Sequence, residues 1–138
     1  MMNTASLPLY DADFYAWTQQ QANALKAEDF SSLDLDNLID EIESMGKSEK
    51  RELDNQLEVL LAHLLKWQFQ PNFRGKIWQL TIIEQRKGIT YHLMDNPSLK
   101  SRIPETYERI YTFAVMDAVK ETGMAGSTFP AECPWTFD

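Results

Sequence analysis

The chain has 138 residues, 43% of them hydrophobic and 25% charged, with a formal net charge of −8. That size fits one helical domain over residues 1–138, long enough to bury about two-thirds of its unfolded surface without help from a metal or disulfide. Nothing approaches the roughly 18 apolar residues of a membrane span, and the acidic balance disfavours generic nucleic-acid binding.

The N-terminal stretch MMNTASLPLYDADF has neither a basic n-region nor a long apolar run, so no signal peptide is read there. Cys133 is the single cysteine, which forbids an intrachain disulfide and suits a reducing cytoplasm. Asp11 or Asp13 is placed to cap a first helix that turns Phe14, Trp17 and Leu25 to the core and fades near Glu28 to Phe30. SSLDLDNLIDEIESMG reads as a short second helix capped by Asp34 or Asp36. Its Leu35, Leu38, Ile42 and Met45 are spaced 3, 4 and 3, and Gly46 is its C-terminal stop.

Ser48 then caps a long third helix, with Glu49 and Glu52 favourable near its positive end. Leu53, Leu57, Leu60, Leu64 and Trp67, spaced 4, 3, 4 and 3, form its expected seam. Val59, Leu61, Ala62 and Leu65 extend the apolar character nearly all round, which makes this the central helix, and Pro71 ends it. Asn72 is expected to cap a fourth helix with Ile77, Trp78, Ile82, Ile89 and Leu93 inward, weakened by Gly75 and Gly88. Asn96 and Pro97 open a fifth helix, with Pro104 able to split off its first turn and Gly123 stopping it. The tail GSTFPAECPWTFD is irregular, and its Phe129, Trp135 and Phe137 are expected to pack back on the helices. No segment alternates with period two, so the expected fold is all-α: a single-domain antiparallel bundle of about five helices with an aromatic tail.

The ordered blocks YDADFYAWTQQQANALK, LDLDNLIDEIESMGKSEKREL, LLAHLLKWQFQP, WQLTIIEQR, NPSL and ECPW resemble a bacterial family, abundant in cyanobacteria, catalogued as a domain of unknown function, number 29 in that series. The resemblance runs from about Tyr10 to the end. It implies a small helical protein and assigns no activity, so it carries over no catalytic residues.

Charge is unevenly spread: residues 1–65 carry a net −9, residues 66–109 a net +4 and residues 110–138 a net −3. Acidic and basic helices that pair within the fold or across a dimer would account for this, and so would a basic patch for an anionic partner.

Four candidate chemistries arise. His63 sits on the most apolar helix, in line with Gln56 and Gln70 at steps of seven; it is expected to be buried and bonded to a neighbouring helix or the tail, with general base or ligand as the functional alternative. Glu84, beside Thr81, Gln85 and Arg86, is expected to point partly inward and take a cation from Lys66, Arg74, Arg86 or Arg109. Arg86 and His92, five residues between them, resemble the Arg-x(4–6)-His motif of small helical ribonucleases, where the histidine works as acid or base and the arginine steadies phosphate charge. Lys66 and Trp67, with Arg74, Lys76 and Trp78, put tryptophans beside cations round Pro71. This pattern fits a stacking platform for single-stranded nucleic acid, or two core tryptophans on helices that end in solvated cations.

Asp40, Glu41 and Glu43 lack the paired Glu-x-x-His of di-iron helices and read as a solvated face near Lys47, Lys50 and Arg51, so no metal and no cofactor are expected. The expectation is a cytoplasmic, non-catalytic helical interaction or regulatory module, with an unknown protein partner or self-association and no membrane. The alternative is a metal-independent ribonuclease using Arg86 and His92, with His63 as another candidate base.

Overall fold

A computed structural model describes residues 7–137. The start of the stretch read for a leader, residues 1–6, and Asp138 lie outside the described residues. The described chain is all-α and contains no strand. Its helices are α1 (Leu9–Ala12), α2 (Phe14–Lys26), α3 (Leu35–Phe69), α4 (Lys76–Asp95) and α5 (Ile103–Thr122), with short 3₁₀ turns between them. No helix among the described residues is long and apolar enough to cross a membrane.

The expected break at Gly46 does not occur: α3 runs unbroken through it. Glycine permits a left-handed stop but does not impose one. With Glu43, Met45, Lys47 and Glu49 on either side, the hydrogen-bond ladder continues at a cost of about 1 kcal/mol relative to alanine. Ser48 is therefore an interior helical residue and not a cap. By contacts the chain divides into two compact units, Met1–Lys47 and Ser48–Asp138.

In the first unit, the Asp13 side chain accepts a hydrogen bond from the Ala16 amide at 3.0 Å and starts α2. The helix ends in a double turn: the Asp29 amide donates to the Ala24 carbonyl and the Glu28 amide to that of Leu25, with Glu28 left-handed at φ 56. Trp17 is buried as expected, whereas Phe14 and Leu25 are half-exposed. Tyr10, Phe14 and Trp17 pack together with centroids 4.8–5.7 Å apart, Tyr10 edge-on to the stacked pair of Phe14 and Trp17. The Trp17 indole N–H donates to Asp34 at 3.0 Å, Gln21 accepts from the Asp34 amide at 2.7 Å, and the Tyr10 hydroxyl donates to Glu41. Hydrogen bonds from Asn37 and Trp17 hold the Asp34 carboxyl below the usual carboxylate range.

In the second unit, the core is built from Leu53, Leu57, Leu61, Ala62 and Leu65 of α3, Ile89 of α4, and Ile103, Ile110, Tyr111, Ala114 and Ala118 of α5, closed by Phe129. The seam of α3 thus steps 53, 57, 61, 65 and departs from the expected line at Leu60, Leu64 and Trp67, which are only partly buried. A helix apolar nearly all round gives its periodicity no power to choose between adjacent faces.

Pro71 ends α3 as expected, but it also opens a 3₁₀ turn over Pro71–Phe73, so Asn72 does not cap; α4 begins at Lys76 after an extended Gly75. Along α4 the inward residues are Ile82, Ile89 and His92, while Ile77, expected inside, is 78% exposed. Contacts join Glu49 to His92, Gln56 to Gly88 and Lys66 to Trp78. At Gly88 an added Cβ would meet Gln56 Nε2 at 3.2 Å, so the absence of a side chain lets the two helices close there. A 3₁₀ turn over Pro97–Arg102 precedes α5, which Gly123 stops in the left-handed conformation at φ 73. The tail packs on α5, where the hydroxyls of Tyr107 and Tyr111 donate to the carbonyls of Trp135 (3.1 Å) and Pro130 (2.6 Å).

Candidate binding cleft

Because α3 turns Leu53, Leu57, Leu61 and Leu65 inward, its next stripe, Leu60 and Leu64, is left beside α4 as the wall of a cleft of about 590 Å³. Ile89, Leu93 and Met94 of α4 form the facing wall, and Trp135 and Phe137 of the tail close one side. The polar groups on the lining are Arg86, Thr90, Lys100, Tyr107 and Thr136. No histidine, carboxylate or thiol lines it among the described residues. A volume of this size and a mostly apolar wall with a few placed polar groups are the ordinary properties of a small-ligand site. An adjoining hollow of about 300 Å³ shares Lys100, Tyr107 and the three tail residues. Burial, with the Cys133 thiol beside it, pushes the Tyr107 phenol well above its ordinary range, and its hydrogen bond to Trp135 fixes the tail against the cleft.

Arg86 faces this cleft and also a second hollow beside Trp67, and neither Arg86 nor Lys100 forms an ion pair among the described residues. His92 is elsewhere. It lies six residues along α4 from Arg86, which at 3.6 residues per turn places the two roughly 120° apart round the helix. Its buried ring donates from Nε2 to the Glu49 carbonyl at 2.9 Å, with the Glu49 carboxylate 3.3 Å from the same nitrogen and the Glu52 carboxylate 3.8 Å from Nδ1. These three side chains bring ligand atoms within 4.8 Å of one another. The two carboxylates flank opposite ring nitrogens, however, and Nε2 is already held by a carbonyl. As placed, the group works as a clasp between α3 and α4, through the hydrogen bond from the His92 ring to the Glu49 carbonyl.

His63 is only partly buried, and its Nδ1 donates to the Val59 carbonyl of its own helix at 2.9 Å, not to a neighbouring helix or the tail. That leaves Nε2 to accept from Lys66 Nζ at 3.4 Å. Lys66, expected to be solvated, is 4% exposed: it donates to Glu121 of α5 and lies 5.1 Å from the Trp78 ring centre. Glu84 is exposed and takes none of the expected cations, because two residues beyond the inward Ile82 it has swung to the solvent side of α4. Arg74 stacks 5.1 Å from Trp67 and donates to its carbonyl at 2.6 Å, so each tryptophan meets the cation of the opposite expected pair.

One pair escaped the sequence reading. Glu58 of α3 and Asp117 of α5 meet, and the hydrogen bond that the protonated Glu58 carboxyl donates to Asp117, with burial and the like charge, raises Glu58 to about 7. They lie between the Lys50–Asp54–Thr106 cluster (2.5 and 2.8 Å from Lys50) and the Lys66–Glu121 pair.

No curated protein and no solved structure matches the chain. The profile of one family, described as a domain of unknown function, DUF29, matches residues 9–138, nearly the whole chain. The chain, with its helical fold and its leucine-walled cleft, belongs to the DUF29 family.

Proposed function

We propose that the protein is a non-catalytic helical interaction module, working in the cytoplasm, that holds a partner in the cleft of its second unit and does not transform it chemically. The observation that carries this reading is the lining. Among the described residues it offers an apolar wall, two cations and three hydroxyls, with no histidine, carboxylate or thiol to serve as a general base or an activated nucleophile. A site of that composition suits binding and orienting a partner.

The guanidinium of Arg86, which forms no ion pair among the described residues, is what favours the ribonuclease alternative, since such a group suits phosphate. That chemistry also needs a base beside the same phosphate, and His92 lies on another side of α4, engaged with Glu49. The test is incubation of the purified chain with single-stranded RNA in excess chelator. The module reading expects intact RNA. Cleavage that disappears in His92→Ala while the melting temperature is unchanged would replace it with the ribonuclease.

A further inference from the structure

We propose that the occupant of the cleft is a linear amphipathic carboxylate, its aliphatic chain laid against Leu60, Leu64, Ile89 and Leu93 and its head drawn by Arg86 and Lys100. The proposal rests on the binding reading above and adds the chemistry of the ligand.

Two observations independent of each other select that chemistry. The first is the wall. Leu60 and Leu64 are large aliphatic side chains on the central helix, left partly uncovered by the tertiary packing; Leu93 and Ile89 face them across the gap. Such a slot rewards a flexible chain of methylenes, each stabilised by burial, more than a polar or planar body. The second is the charge. The chain carries 21 acidic and 13 basic side chains, yet among the described residues this lining holds two basic groups and no acidic one. Neither cation forms an ion pair among the described residues, unlike Lys50, Lys66 and Arg102, which each meet a carboxylate. In an acidic protein that repels anions at long range, a local pair of uncommitted cations beside an apolar slot discriminates by head group: it favours an anion, tolerates a neutral head and opposes a cationic one. A carboxylate is a head that Arg86 can meet with two parallel hydrogen bonds.

The experiment is a methyl-resolved NMR titration of the full chain with three probes that share one tail: sodium decanoate, decanol and decyltrimethylammonium, each below its aggregation limit. The expected result is saturable shifts of the Leu60, Leu64, Leu93 and Ile89 methyls. Decanoate should bind at least tenfold tighter than decanol, and decyltrimethylammonium weakest. Arg86→Gln combined with Lys100→Gln should bring decanoate down to the level of decanol while circular dichroism and the melting temperature stay unchanged. Both side chains are at the surface of a lining, so the double variant is expected to fold. Equal binding of decanoate and decanol would overturn the inference about the head group and leave the cleft reading intact. If no probe moves these methyls in the folded protein, both are lost. Shifts that follow protein concentration with no probe present would make the occupant a second copy of the chain and overturn the proposal.

Discussion

Replacing Asp117 by asparagine changes how stability depends on pH. Glu58 and Asp117 face each other between α3 and α5, and the Glu58 carboxyl keeps its proton up to about 7, against 4.5 ordinarily. The folded chain therefore binds more protons than the unfolded chain in that window. The contribution is complete below about 4.5 and is lost as pH rises through about 7. Taken without screening, a carboxyl moved from 4.5 to about 7 corresponds to about 3 kcal/mol. Both side chains are only partly buried, so solvent reduces the effect to about 1 kcal/mol. Because the two groups titrate together, the loss is spread over the window and does not occur at a single midpoint. Asp117→Asn removes the like charge and supplies an amide that donates to the ionised Glu58. Urea unfolding followed by circular dichroism from pH 5 to pH 8 should show wild type losing about 1 kcal/mol across the range and the variant staying flat, ending more stable at pH 8. A variant with the wild-type slope, or one less stable at pH 8, would refute the pairing.

Two further outcomes check the packing. Gly46→Ala should stabilise by about 1 kcal/mol, because an added Cβ meets nothing within 4 Å and the residue is helical; a loss of stability in the same denaturation assay would mean that the helix stops at Gly46 after all. Leu57→Ala should cost about 2–5 kcal/mol, since Leu57 is 1% exposed, while Leu60→Ala, on the open cleft, should cost less than half as much; the reverse order in urea midpoints would put the seam back where the spacing alone suggests.

The helical class and several boundaries were legible because their causes are local. Asp13 caps, Pro71 and Gly123 stop, and each acts through its own backbone or a residue three away. Gly46 was not legible, because a glycine signals only what the chain is free to do. The core face of α3 was not legible either: Leu60 and Leu61 are equally apolar neighbours, and only the position of α4 and α5 decides which one is buried. The candidate residues divide in the same way. Arg86, Lys66 and His92 were found from their types, but their partners are set by packing across three helices: the cleft for Arg86, Glu121 and Trp78 for Lys66, and Glu49 for His92. Lys100 and Glu58 drew no notice because nothing beside them in sequence marks them.

The most direct test of the binding account is a search for nuclear Overhauser effects between the chain protons of bound decanoate and the methyls of the folded protein. The account predicts cross-peaks to Leu60, Leu64 and Leu93, and none to Ile77 or Leu80, which lie exposed on α4 outside the cleft. Cross-peaks confined to Ile77 and Leu80, or scattered evenly over every exposed methyl, would contradict it.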